Sequence, residues 1–458
     1  MQTKQKLQLV SVGSTLTDGW SSVTHNRFIG LCYQYVNWEN MRVDSELLLF
    51  DHHQAAHTSS NLAHSYILAL DKYCPNCMVA NHTTDNAANE KLSAQILLER
   101  KGFWSDAVSC MAHNIQLDLA DFFKSIESTL RPILKFNSRL TNSPSLTNDF
   151  LTFQSAVGAT PALSACSMVK TRWWSIIPGL SFYVRRRDCI VTFFQARMPH
   201  LLSQLGQKLG ILISEPPSLG VASELLQYLN KICAIQSSLS SEHKVTSTKV
   251  LSGIAEIKLL PLPCQVHYTF PRLTDIYQQV TLWSKAAFFD PDGILHLDQL
   301  RLLETVKLHL EDDLRRLTVE DEANPFQIGQ DFRGILNVIE AGIRQQSPQH
   351  FDCLRYFSEN VLPLLRRKSK EQADALQKLL SLLFSIAATQ VACERVFSKA
   401  TRAVAAKSGS LGSGTLSDIV RIQKVFPNTV DGVLKALNAV RDLGIAIRET
   451  ESSGIIEI

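Results

Sequence analysis

The 458-residue chain is 45% hydrophobic and 19% charged, enough for large cores in roughly two to four domains, and this excludes global disorder. Its net charge of +3 neither favours nor excludes nucleic acid, because a DNA-handling protein can gather its positive charge on one face. Ten irregularly spaced cysteines, a start unlike a signal peptide and the lack of any apolar run of about 18 residues predict a soluble intracellular protein with free thiols and no membrane span.

The first predicted elements are strands. Arg27–Val36 (RFIGLCYQYV) is rich in aromatic and branched residues and Glu46–Phe50 (ELLLF) is a short apolar run, with the polar Asn37–Met41 as a hairpin-type connection. After Ser59 and Ser60, which can cap a helix, Leu62, Tyr66, Ile67 and Leu70 share one helical face. Pro75 and Asn76 punctuate the turn before a short strand around Met78–Asn81. Strands, a crossover helix and a further strand imply an α/β sheet.

From about residue 121 to 350 the pattern becomes helical, as in Leu225–Cys233, Leu300–Leu310 and Gly334–Ile343. Pro144, Pro216–Pro217 and Pro261–Pro263 are expected to mark loops, and the Ser-rich Ser237–Ser247 a mobile connection. Amphipathic helices return from Leu354 to Val425, interrupted by the Gly/Ser-rich Lys407–Gly414, after which Leu416, Ile419, Val420 and Val425 form an apolar stripe. Basic clusters at Arg185–Arg187 and Arg366–Lys370 suit either phosphates or solvated helix faces, and the acidic Glu311–Asp313 and Glu320–Glu322 are expected to be solvated.

Three acidic motifs carry the chemistry. Asp18, in Thr17–Ser22 (TDGWSS), precedes the strand hairpin and is expected to project from a sheet edge, although Asp-Gly also suits a plain turn. Asp85, in Thr83–Asn89 (TTDNAAN), follows a strand and precedes a helix over Ala87–Leu98; it can reach a metal beside the sheet, or it and Asn86 can cap that helix. Glu394, in Cys393–Ser398 (CERVFS), lies among Leu382, Leu383, Phe384, Ile386, Val391 and Val396, where a carboxylate is costly unless paired or metal-bound. A structural ion pair would also satisfy it. Phosphoryl transfer on nucleic acid commonly uses two divalent cations about 4 Å apart, held by carboxylates on rigid elements. Asp18, Asp85 and Glu394 would suffice if they met, which chain spacing alone does not establish.

In order along the chain, Asp18-Gly19-Trp20, Thr84–Asn89, Cys110-Met111-Ala112-His113 with the amphipathic Ile115–Phe123, Thr171-Arg172-Trp173 and Cys393–Ser398 resemble the motifs of the hAT superfamily of DNA transposases. The last is similar to the family's SERxFS signature. The resemblance implies an RNase H-like mixed sheet interrupted by a large all-α insertion and completed by C-terminal helices: residues 1–125, the insertion 126–350, and 351–458 with the dimerisation region. It implies metal-dependent DNA cleavage and strand transfer, with Asp18, Asp85 and Glu394 as catalytic ligands of Mg²⁺ or Mn²⁺. It also implies that Trp173 stacks on a flipped base, a task suited to a large π-face, while Arg172, Cys110 and His113 support the site and contact DNA. The expected partners are DNA and a second copy of the chain, and the expected location is the nucleus. Trp173 with Trp174 as a core aromatic pair, and His113 as a core histidine, remain the structural alternatives.

The chain departs from the family pattern in three ways. It starts about one strand before Asp18 without the family's BED-type zinc finger, Ala387–Ala392 replaces the usual Ser-rich approach to the glutamate, and the soft Lys407–Gly414 stands where the family tends to be basic. The intact acids favour an enzyme; the departures favour a descendant that binds DNA, chromatin or its own partner without catalysis. Cys74, Cys77, Cys110 and His113 form a CxxC…CxxH set with zinc-type ligands, but the intervening strand and helix argue against a shared metal.

Overall fold

Strands β1 (Val12–Ser21), β2 (Arg27–Asn37) and β3 (Arg42–His52) form an antiparallel meander, and β4 (Met78–Thr84) and β5 (Val108–Ser109) extend it in parallel. The strand order is β3-β2-β1-β4-β5, so the sheet is mixed and β1 is internal. This computed structural model describes residues 6–8, 10–21, 27–52, 56–105, 107–166, 173–205, 218–279, 281–318 and 332–406.

Two apolar layers cover the sheet, as the two-residue period of its strands dictates. On one face Ile29, Leu31, Tyr33 and Tyr35 of β2 pack with α1 (Ser59–Tyr73) and α2 (Ala88–Lys101) through Leu62, Tyr66, Ile67, Leu70, Leu97 and Leu98. Thr58 caps α1, its hydroxyl accepting from Asn61 N. On the other face Leu16, Phe28, Cys32 and Phe50 meet Cys393 and Phe397 of a C-terminal helix. Phe28 stacks on Phe50 at 5.4 Å, and Phe397 lies 5.8 Å from Phe50.

Gly13 in β1 is required by close packing. A Cβ there would sit 2.5 Å from the Gln34 carbonyl oxygen and 2.7 Å from the Tyr33 ring. Gly13→Ala is therefore expected to cost about 1–3 kcal/mol, the range for overpacked sites. A urea melt reads this directly, and an unchanged midpoint would mean that β1 and β2 separate freely at that point.

The chain divides into two compact units, residues 1–111, 239–250 and 280–458 in one and residues 112–238 and 251–279 in the other. These limits differ from the expected boundaries at 125 and 350: residues 280–350 group with the sheet. In the sheet unit the C-terminal half includes α4 (Leu282–Ala287), α5 (Leu303–Thr318), α6 (Lys370–Phe384) and α7 (Val391–Ala406). The second unit is helical. Its core includes Phe136 against Tyr183 and Phe194, and Phe122 against Tyr228, Tyr268 and Phe270. There the fully buried Asp118 accepts from Arg272 Nη1 at 2.9 Å and from Leu273 N at 3.1 Å, so its charge is paired.

Three sequence expectations change. Pro144 opens a helix, Pro144–Ala156, rather than marking a loop, because its missing N–H is not needed in a first turn. Ser237–Ser247 is not a loose connection. Its C-terminal part docks on β3, where Val43 N donates to the His243 carbonyl at 3.1 Å, and Thr246 Oγ1 accepts from Ala388 N at 3.2 Å. In the acidic run Glu311–Asp313, Asp313 is buried against Lys285 at 2.6 Å instead of solvated. Lys407–Gly414 and the stripe Leu416–Val425 lie outside the described residues.

Candidate active site

Alternation along β1 sends neighbouring side chains to opposite faces. Thr15 and Thr17 turn towards His82 of β4, whereas Leu16 joins the layer containing Cys393. Asp18 follows near the C-terminal end of β1, paired with Gly30 of β2. It therefore stands in an internal strand and not, as the sequence suggests, at a sheet edge. Its Oδ1 accepts from Gly19 N at 2.9 Å.

The charge environment of Asp18 is the most informative feature of the site. Burial, then the Glu394 carboxylate, then Asp85 and Glu90, push its carboxyl up to about 8, against the lowering effect of the Gly19 N–H. Acids from both ends of the chain thus share one neighbourhood. Asp85, half-buried just beyond β4, accepts at Oδ1 from Ala87 N at 2.8 Å, a turn-forming bond that leads into α2.

Glu394 differs from expectation. Leu382, Leu383 and Phe384 belong to α6, Ile386 to the connection at 385–390, and Val391 opens α7, so Glu394 falls in the first turn of α7 and is exposed. A helix N-terminus favours a negative side chain, and no burial cost arises there. The connection is tied to the sheet. Thr83 Oγ1 donates to the Ala387 carbonyl at 2.9 Å, Met111 N donates to the Ala388 carbonyl at 2.9 Å, and Ser14 and Ser385 hydroxyls meet at 2.9 Å. Gln390 donates its side-chain amide to the Thr17 carbonyl, and its own carbonyl accepts from Cys393 N and Glu394 N. Backbone groups at 387 and 388 and one glutamine amide thus tie the Ala-rich approach to the strands.

Of the remaining candidates, Cys110 is buried and its sulfur accepts from Gln390 N at 3.4 Å, so it supports the start of α7. His113 is half-buried in the helical unit, on α3 (Met111–Ser125). Arg172 lies outside the described residues. Trp173, expected to offer its face to a base, is only 2% exposed and packs edge-on against Trp174 at 6.5 Å. The indole open to solvent is Trp174, at 42%. Arg186 and Arg366, from the two basic clusters, are engaged by Gln154 and Gln377 respectively.

The zinc-type set does not gather. Cys77 Sγ donates to the Val10 carbonyl at 3.1 Å beside the start of β4, whereas Cys110 N bonds the Thr84 carbonyl at its far end. A seven-residue strand spans about 20 Å, far beyond a zinc–sulfur bond.

Sequence reasoning missed Glu90. It lies four, seven and eight residues before Ala94, Leu97 and Leu98, so helical periodicity already sets it on the buried face of α2. Burial, then Asp85, raises its carboxyl to about 7, while hydrogen bonds from Tyr66 and Ser93 oppose the rise. His82, also missed, is fully buried, and burial lowers it to about 3, so it is neutral.

The donor set suits a hard divalent cation, whose charge would offset the burial and the carboxylate repulsion that lift Asp18. Among the described residues no three His, Cys, Asp or Glu side chains already converge on one point.

Residues 344–425 match the family model of the hAT family C-terminal dimerisation region. That stretch is similar to an hAT C-terminal dimerisation region. The hAT match includes Glu394 and all of α6, and it supports the hAT transposase resemblance and self-association of the chain. No curated protein is similar enough to the chain to count as a relative. Among the described residues no helix is long and apolar enough to cross a membrane.

Proposed function

We propose that this chain is a metal-dependent DNA transposase of the hAT type, cutting DNA and transferring strands from an RNase H-like domain. The observation that carries the reading is the position of Asp18 among the charges of Glu394 and Asp85. The RNase H-like assignment is supported by an antiparallel three-strand meander whose first strand, β1, is extended on its other side by two parallel strands, with helices on both faces.

In this reading Asp18, Asp85 and Glu394 hold Mg²⁺ or Mn²⁺, whose chemistry there is to activate the attacking oxygen and steady the leaving one. Gln390 ties the first turn of α7 to β1, bonding the Thr17 carbonyl with its side-chain amide and the Cys393 and Glu394 amides with its carbonyl. Arg172 and His113 contact DNA, and the exposed Trp174, rather than Trp173, offers a face for stacking. Such an enzyme works on chromosomal DNA, which gives a nuclear location. The second reading is a non-catalytic, self-associating descendant that binds DNA or chromatin. It is favoured by the present bonds of Asp18 and Asp85 to backbone amides.

Purified full-length protein with Mn²⁺ is expected to nick supercoiled DNA, and Asp85→Ala or Glu394→Ala to abolish the nicking. Equal nicking by all three proteins would assign the activity to a contaminant and sink the enzyme reading.

A further inference from the structure

Glu90 is the acid near this centre that the proposed chemistry leaves without a task. It is 5% exposed, and both carboxylate oxygens accept from the Tyr66 hydroxyl, at 3.4 and 3.3 Å. Its Oε2 also lies 3.5 Å from Thr17 Oγ1 and 3.5 Å from Ser93 Oγ. Ser93 Oγ donates at 2.8 Å to the Glu90 carbonyl, anchoring the residue within its own helix.

Thr17 immediately precedes Asp18 and is held from three sides. Its hydroxyl meets His82 Nε2 at 3.0 Å and Glu90 Oε2, and its carbonyl accepts from the Gln390 amide. His82 Nδ1 in turn meets Thr15 Oγ1 at 2.8 Å, and Thr15 donates to the Asn81 carbonyl at 3.3 Å. Hydrogen counting gives a consistent chain. Thr15 spends its hydrogen on Asn81, so it accepts from His82 Nδ1–H, and Nε2 then accepts the single Thr17 hydrogen. Thr17 Oγ1 is left as an acceptor, and a protonated Glu90 carboxyl can donate to it. A glutamine at 90 could make the same bonds, its NH₂ donating to Thr17 and its carbonyl accepting from Tyr66.

We infer that Glu90 is a positioning residue: it locks Thr17 between α2 and β4 and so fixes where Asp18 stands, without itself ligating a cation. The task given to Asp18 rests on the proposed function; the locking of β1 does not. The buried chain Asn81–Thr15–His82–Thr17–Glu90–Tyr66 acts as an underlay for the carboxylate centre. Buried polar chains of this kind fix one geometry when every member is satisfied, and outer-shell partners of ligands commonly carry 10–100-fold effects on metal affinity.

Two readouts on the full-length protein test this. The first is amide hydrogen exchange across β1 at pH 6, with β3 as internal control. Glu90→Ala should speed exchange at Thr17–Gly19 roughly tenfold relative to β3, and Glu90→Gln should match wild type. The second is Mn²⁺ titration followed by the electron-spin signal of the free ion. Glu90→Ala should weaken binding about tenfold, with Glu90→Gln within twofold of wild type. Unchanged β1 exchange in Glu90→Ala overturns the inference. Equal loss of Mn²⁺ binding in both variants overturns it too, because Glu90 would then be a ligand. Should Glu90→Ala fail to fold, Tyr66→Phe replaces it: local loosening of β1 supports the locking, and unaltered exchange overturns it. Wild-type protein that binds no Mn²⁺ yet shows the expected exchange pattern would refute the cation reading and leave the locking supported.

Discussion

Lys285→Met should lower the unfolding free energy by about 3 kcal/mol or more, the cost of stranding a buried charge. Asp313 of α5 is 3% exposed and accepts from Lys285 Nζ at 2.6 Å and Trp104 Nε1 at 3.1 Å. Lys285 also lies over the Trp104 ring at 5.3 Å. Removing the ammonium leaves a carboxylate in the core with one neutral donor and the guanidinium of Arg316 at 3.8 Å, on an exposed side chain. That residual cation should keep the loss near the lower end of the usual range for broken buried pairs. Replacing both partners, Lys285→Met with Asp313→Leu, should recover part of the loss, because no charge then remains to be desolvated. The Trp104 N–H would still lack its acceptor, a penalty of about 1–3 kcal/mol. Denaturant unfolding of the two variants decides the matter. A double variant weaker than the single one would show that Asp313 does not depend on Lys285.

Stability should also fall as pH rises from 5 to 8, and Glu90→Gln should remove much of that fall. The sign follows from proton linkage. Glu90 is raised from 4.5 to about 7 in the folded protein, so between those values the fold holds a proton that the unfolded chain has released. The stabilisation is fully present below pH 4.5 and is lost as pH passes 7. A shift of this size corresponds to at most about 3 kcal/mol. Asp18, raised to about 8, acts with the same sign over a wider window, so some decline should survive the substitution. His82, lowered to about 3, acts in the opposite sense: its neutral burial costs stability as pH falls below 6.5. Wild type and Glu90→Gln should therefore melt alike at pH 5, with the variant the more stable at pH 8. Parallel melting curves across that range would mean that Glu90 is ionised in the fold at all these pH values.

Much of the sheet was legible because burial demands a visible composition. Arg27–Val36 and Glu46–Phe50 are dense in aromatic and branched residues, and both are strands within limits a few residues wider. The helix beginning at Ser59 was readable from Leu62, Tyr66, Ile67 and Leu70 on one stripe. β1 was not, because VGSTLTDGWS is small and polar and contains a turn-type Asp-Gly. Its polar side chains and the Thr17 carbonyl are satisfied by partners distant in sequence: His82, Glu90, Ser385 and, for the carbonyl, Gln390. Glu394 was misread for a related reason. The apolar run before it looks continuous, yet the chain breaks between α6 and α7 to bond Thr83 and Met111, and the glutamate emerges at a helix start. Trp173 and Trp174 are adjacent and chemically alike, so only packing decides which is buried. Spacing could not reveal the approach of Asp18 to Glu394, since no local rule links residues so far apart.

The passage of His243 across β3 bears on how copies of this chain can join. β3 is an outer strand of the sheet, and such a strand offers unpaired amides and carbonyls to any extended peptide that comes alongside. Here Val43 N is already taken by the His243 carbonyl, and the His243 ring meets the Val43 carbonyl at 3.1 Å. Arg42, Asp44 and Glu46 add charge along the same rim. Fusion along this edge into a continuous ribbon is thereby discouraged, which guards that side of the sheet against fibrous growth.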